Sequence, residues 1–239
     1  MGYFGLLGYP LGHSFSQAWF NERGHRYENF ASPSVAKFIC SLPSDLEGFN
    51  VTIPHKQTII PFLDSMDEAA REVGAVNCVK VLADRKLRGY NTDIIGFEAS
   101  LRDLIGSHFA GCAAVLGSGG ASRAVCYVLK KLGIDYQVIS RSDDGYSRFK
   151  VEQVRLIINT TPLGMYPHTE AMAEINYEAI DDRYFLFDLV YNPSQTAFLY
   201  QGRIRGAAVV NGLAMLRGQA QAALQLFVAP DRQDECKFR

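Results

Sequence analysis

Val35, Phe38, Ile39 and Leu42 recur at i, i+3, i+4 and i+7, a spacing that predicts one buried helical face. Other apolar runs keep a different rhythm. Residues 3–8 read as a buried strand. In residues 49–53 the polar Asn50 and Thr52 alternate with Phe49, Val51 and Ile53, the pattern of a strand. The stretch "SMDEAAREVG" predicts a bounded helix: Ser65 and Glu68 stand in capping-box spacing, and Gly74 ends the run. "AVNCVKVLADRKLRGYNT" predicts two strands around a turn near residues 83–85, and "DIIGFEASLRDLIG" returns to helical spacing. Alternation of this kind predicts an α/β architecture with a largely parallel sheet.

A second unit begins near Cys112. "CAAVLGSGGASRAVCYVLKKLG" reads as an apolar strand, a glycine-rich turn and a helix. Ala121, Ala124, Val125, Val128, Leu129 and Leu132 form that helix's inner face. "YQVIS", "LIINT", "FLFDLV" and "AAVV" supply further strands. A closing helix aligns Leu216, Ala220, Ala223, Leu224 and Phe227 on one side.

Composition narrows the function. With 24 Lys and Arg against 25 Asp and Glu, the net charge of −1 offers no basic footprint for nucleic acid or anionic lipid. Gly and Pro break the first apolar run, so neither a signal peptide nor a membrane span is expected. Five cysteines, Cys40, Cys78, Cys112, Cys126 and Cys236, lack C-x-x-C spacing. That argues against disulfides and zinc, suits a reducing cytoplasm, and predicts core-filling roles for the first four. The pattern identifies no interface; a homodimer is one assembly it allows.

Gly117-Ser118-Gly119-Gly120-Ala121-Ser122 approximates G-x-G-x-x-G/A, with Ser122 in the third place. Strand, turn and helix follow in the order that a dinucleotide site needs. Glycines let backbone approach a pyrophosphate, and the helix N-terminus offers free N–H groups. The next strand ends in Ser140-Arg141-Ser142 rather than in an acidic residue, and arginine pairs with a 2′-phosphate, which favours NADP over NAD.

Four polar stretches lie at or near strand ends of the first hundred residues: "GHSFSQ", "NVTIPHK", "GAVNC" and "GYNTD". Each has a bland reading. Ser14 or Ser16 suits a helix cap, Asp93 suits another, and Lys56 alone suits a surface position. Together, one lysine, one aspartate, several amides and several hydroxyls suit a small polyhydroxylated substrate, with the lysine handling protons.

Taken in order, "GYPLGHSFS", "FNVTIPHK", "GAVN", "GYNTDIIGF", "GSGGASRA", "INTTPLGM", "DLVYNP" and "NGLAMLRGQA" resemble the shikimate dehydrogenase family over nearly the whole chain, to about Phe227. The resemblance implies an N-terminal α/β substrate-binding and catalytic domain (1–95) and a shortened Rossmann-like NADP-binding domain (96–212). A C-terminal helix (213–239) returns to the first domain. It implies a catalytic pair, Lys56 and Asp93. Ser14 and Ser16 match carboxylate-holding serines. Asn50, Thr52, Asn77, Thr92, Gln219 and Tyr191 match the rest of the substrate site. Gly117, Gly119, Gly120, Ala121 and Ser122 match the phosphate loop, and Ser140, Arg141 and Ser142 the 2′-phosphate grip. Thr160, Gly212 and Met215 match the nicotinamide end.

The activity implied is reversible, NADPH-dependent reduction of 3-dehydroshikimate to shikimate, in aromatic amino acid and chorismate biosynthesis. Three departures stand out. Gln17 and Phe20-Asn21 replace the usual Pro and His-Asn, and Ser140 replaces an Asn. Only 16 residues (142–157) separate Arg141 from Ile158, where the family fits a helix and a further strand. Competing readings are an NAD-linked quinate/shikimate dehydrogenase, a methylenetetrahydrofolate dehydrogenase-like enzyme, and a regulatory domain without turnover.

Overall fold

The computed structural model describes residues 2–11, 15–140 and 145–230. The chain divides into two compact units, residues 1–92 with 220–239, and residues 93–219. The closing helix, Leu213–Val228, runs through the division at residues 219 and 220.

The first unit is built on a six-stranded sheet. Its strands are β1 (Tyr3–Gly8), β2 (Tyr27–Ala31), β3 (Leu46–Val51), β4 (Ser65–Met66), β5 (Cys78–Val81) and β6 (Leu87–Tyr90), in the order β2-β1-β3-β5-β6-β4. Pairing is parallel except along β5, which runs antiparallel to both β3 and β6. The β5–β6 hairpin turns where the sequence places it, through Arg85 at φ 66°.

Alternation along β1 feeds two cores. Phe4 and Leu6 point into one with Trp19 and Phe20 of α1 (Phe15–Asn21). Tyr3 and Leu7 point into the other, with Val35 and Phe38 of α2 (Val35–Cys40) and Ala70 of α3 (Glu68–Val73). A strand buried on both faces reads as an unbroken apolar run, which explains "YFGLLG". Ala220, Ala223 and Phe227, from the end of α8 (Leu213–Val228), join the first of these cores. Phe227 stacks on Phe4 with ring centroids 4.7 Å apart. Gly48 is required opposite it, since a Cβ there would run into the Phe227 ring.

Three local expectations need correcting. The N-cap of α3 is Asp67, whose side chain accepts from Ala70 N at 3.0 Å, because Ser65 is already committed to β4; Gly74 closes the helix in the left-handed region as expected. β3 ends at Val51, so residues 52–53 extend the chain without strand pairing on both sides. Cys78 is buried and Cys126 half-buried, but Cys40 and Cys112 are exposed, at a helix end and before a strand, so they fill no core.

The second unit carries a parallel sheet of five strands: β7 (Ala113–Leu116), β8 (Tyr136–Ile139), β9 (Leu156–Asn159), β10 (Phe185–Asp188) and β11 (Ala208–Val210). Their order is β11-β10-β9-β7-β8. The helices are α4 (Asp93–Ile105), α5 (Gly120–Lys131), α6 (Gly145–Arg148) and α7 (Ala197–Arg203), with the first part of α8. Ala124, Val125, Val128 and Leu129 of α5 are buried, as its spacing predicts. From β8 the chain returns to β9 with only the single turn α6 and a 3-10 turn at Val151–Gln153 among the described residues. Phe149, Val151 and Val154 on this short return fill the core. β8 is left as the sheet edge, with Tyr136 and Val138 exposed.

Candidate active site

Three of the expected substrate residues, Asn50, Asn77 and Thr92, are joined in the first unit by one buried chain of hydrogen bonds, with a fourth, Ser16, beside it. Ser16, buried on α1, lies beside the phenol of Tyr27. Tyr27 donates to Asn50 Oδ1 at 2.9 Å. Asn50 Nδ2 donates to the carbonyl of Asn77 at 3.1 Å. The Asn77 amide holds Thr92 through both its backbone N–H (2.7 Å) and its hydroxyl. Burial, with the nearby Cys78, pushes the Tyr27 phenol well above its ordinary range, with Ser16 acting in the opposite direction. Tyr27 therefore stays a neutral donor.

Lys56 sits half-buried in the turn that follows β3. Its carbonyl accepts from Val76 N at 2.7 Å, and Asn91 pins the neighbouring Ala75 carbonyl at 2.8 Å. The backbone of the lysine turn is thus tied to the segment carrying Asn77, which is tied in turn to Thr92. Thr52, half-buried, anchors the start of the turn: its N–H bonds Leu7 O at 2.9 Å, and its carbonyl accepts from His55 N. Asp93 follows Thr92 in the chain and opens α4 as a buried residue.

In the second unit the glycine loop leaves β7 at the sheet's switch point, where the strand order turns from β8 on one side to β9 on the other. Ligands of open α/β sheets bind at such a crevice, outside the carboxyl ends of the strands. Gly117 takes φ 109°, and a Cβ there would stand 2.8 Å from Thr160 Oγ1. Open space lies where a Cβ on Gly119 would point, and α5 begins at Gly120. Bare backbone, open space and the start of a 12-residue helix without a side-chain cap fit a dinucleotide's phosphates. Ser122 is buried on the helix, and Ala121 and Ser140 are half-buried.

Thr160 Oγ1 donates to Leu116 O at 2.7 Å, which locks the loop after β9 against the glycine loop. Gly212 packs where a Cβ would run into Leu189 O, and Met215 and Gln219 are buried on α8. Tyr191, after β10, is 38% exposed, and partial burial raises its phenol. Ser14, Arg141 and Ser142 lie outside the described residues. A cavity of about 540 Å³ lined by Phe109, Arg155, Arg183 and Phe185 lies at the opposite, N-terminal ends of β9 and β10, away from these loops.

Sequence reasoning missed Tyr27, because β2 is a short strand of mixed polarity. It also missed Asp188 and its partner Thr196. A carboxylate closing the apolar run "FLF" was the available signal.

Comparison with known proteins agrees. A family model for the shikimate dehydrogenase substrate binding domain matches residues 6–79. Shikimate dehydrogenase (NADP(+)) of Caldanaerobacter subterraneus subsp. tengcongensis is 33% identical, over 94% of this chain and 90% of its own length. The chain belongs to the shikimate dehydrogenase family. Among solved members of the family, the enzyme of Aquifex aeolicus superposes with a TM-score of 0.85 at 32% identity, covering 95% of this chain and 92% of that one. The Thermus thermophilus enzyme, solved in complex with NADP(H) and shikimate, gives 0.83 at 30% identity, covering 97% and 95%. Both units are thus those of a family enzyme, including the Rossmann-like second unit. Among the described residues no helix is long and apolar enough to cross a membrane.

Proposed function

We propose that this protein is a cytoplasmic NADP-linked shikimate dehydrogenase, which reduces 3-dehydroshikimate reversibly to shikimate in aromatic amino acid biosynthesis. The observation that carries this reading is the buried chain from Tyr27 through Asn50 and Asn77 to Thr92, with Ser16 beside Tyr27. It gathers amides and hydroxyls from β2, β3 and the segments just before β5 and just after β6, tied to the turn of Lys56 through Val76, and Thr92 leads directly into Asp93. Ser14 and Ser16 would take the substrate carboxylate. Asn50, Thr52, Asn77, Thr92, Tyr191 and Gln219 would hydrogen-bond its ring hydroxyls and carboxylate.

Gly117, Gly119, Gly120, Ala121 and Ser122 would hold the phosphates of NADP. Ser140, Arg141 and Ser142 would take its 2′-phosphate, and Thr160, Gly212 and Met215 would flank its nicotinamide. NADPH, when bound, supplies the hydride. Lys56, as an ammonium, gives a proton and a neighbouring positive charge to the carbonyl oxygen that becomes the alcohol. Asp93 orients the amine and accepts a hydrogen bond from an adjacent substrate hydroxyl. In the reverse direction neutral Lys56 takes the alcohol's proton.

A steady-state assay crossing shikimate and quinate with NADP⁺ and NAD⁺ tests the reading. The expected result is turnover favouring shikimate with NADP⁺. Preference for quinate with NAD⁺ would replace it with the catabolic alternative, and turnover of none of the four combinations would remove it. Light scattering of the purified protein tests whether it forms a homodimer.

A further inference from the structure

Asp188 closes β10 with its side chain fully buried, and none of the roles described so far uses it. A buried carboxylate is expensive unless its oxygens are satisfied. Here both are. Oδ1 accepts from Asn159 Nδ2 at 2.9 Å and from Val190 N at 3.0 Å, and Oδ2 accepts from the Thr196 hydroxyl at 2.5 Å. Each partner organises a loop. Asn159 Oδ1 accepts from both the N–H and the hydroxyl of Thr161, and its Nδ2 also reaches Leu163 O. Thr196 caps α7 through Leu199 N. It also packs 3.2 Å from where a Cβ on Gly164 would stand, at φ 86°. Val190 O accepts from Gly212 N at 3.2 Å.

Asp188 therefore ties the loops after β9 and β10 to each other and to the start of α7, while separate bonds, Thr160 Oγ1 to Leu116 O and Gly212 N to Val190 O, join the ends of β7 and β11 to them. Burial pushes that carboxyl up to about 6, against the hydrogen bonds from Thr196, Val190 and Asn159.

We propose that Asp188 is a positioning residue for the cofactor edge of the second unit, holding the loop of Thr160 and Thr161 against the loop of Val190 through Asn159 and Thr196. The proposal rests on the NADP reading above. Asp188 touches neither reacting atom; it fixes the backbone that lines the crevice at the switch point.

Isothermal titration of NADP⁺ into the purified full chain tests it, alongside steady-state kinetics. Asp188→Ala should weaken NADP⁺ binding at least tenfold while the KM for shikimate moves less than twofold. Asp188→Asn keeps the shape and can still serve Asn159, Val190 and Thr196, so it should bind NADP⁺ within threefold of the parent. Asp188→Ala binding within twofold of the parent overturns the proposal, as does an Asn variant as weak as the Ala variant. If Asp188→Ala does not fold, Thr196→Val removes one bond and should weaken binding threefold to tenfold; unchanged binding overturns the proposal. Gly117→Ala serves as the control for the site itself. If it binds NADP⁺ like the parent, the cofactor reading fails and the proposal with it. If Gly117→Ala loses binding while Asp188→Ala keeps it, only the role of Asp188 fails.

Discussion

Thr92 donates its backbone N–H to Asn77 Oδ1 at 2.7 Å, and the Thr92 hydroxyl faces the same amide at 3.1 and 3.2 Å. Both residues are buried, so the pair fixes the end of β6 to the start of β5 immediately before Asp93. A residue that serves a substrate and also orders its neighbour should show two effects when removed. Asn77→Ala leaves buried donors unpaired, at a cost of about 1–3 kcal/mol. Urea unfolding should report that loss, and the KM for shikimate should rise. Unchanged stability would show that the amide is not holding Thr92.

Tyr27 donates to Asn50 from the core of the first unit, beside Ser16 and stacked on Phe20 at 4.4 Å. Tyr27→Phe keeps the ring and removes only the hydroxyl. Stability should fall by about 1 kcal/mol, the net worth of one hydrogen bond. The KM for shikimate should rise several-fold, with NADP⁺ affinity unchanged. An unaltered KM would separate Tyr27 from substrate binding.

Asp188 makes a prediction about pH. Its carboxyl sits at about 6 in the folded protein against 3.8 as the ordinary value, because burial outweighs its hydrogen bonds. Between those values the folded state binds more protons than the unfolded one, so this group's contribution to stability is greatest below 3.8. That contribution is lost as pH rises through 6, by about 3 kcal/mol at most. Asp188→Asn should therefore gain stability relative to the parent as pH rises from 4.5 to 7.5, in paired urea titrations. A constant difference across that range would contradict the assignment.

Gly96 marks a close approach of two helices within the second unit. A Cβ there would run into the carbonyl oxygen of Met215 and lie 2.8 Å from Gln219 N, both backbone atoms that cannot rotate away. Gly96→Ala should destabilise by about 1–3 kcal/mol, as overpacking does, despite its better helix propensity. A higher melting temperature would mean that the helices part readily.

The sequence made strands with unbroken apolar runs easy to find, and β1 begins and ends where its pattern does. Period also exposed the inner face of α5, and the glycine loop was legible because its turn follows a strand and opens a helix. What stayed hidden was structure set by tertiary contact. β2, "YENFA", alternates weakly, because its residues beyond Tyr27 are only partly covered. Asp67 rather than Ser65 caps α3, since Ser65 pairs with Arg88 in β6, a partner far away in sequence. The polar cluster was legible as a set of residue types. The link through Tyr27 was not, because a tyrosine in a short strand looks like any core residue. Asp188 was passed over for a related reason: only the fold brings Asn159 and Thr196 to it.

Single-turnover oxidation of NADPH by 3-dehydroshikimate tests the proton-handling role of Lys56 most directly. In Lys56→Ala the hydride-transfer rate should fall by about 10²–10⁴, the worth of positioned acid–base help, while the affinity for both substrates stays near that of the parent. A variant that transfers hydride at close to the parental rate would contradict the account.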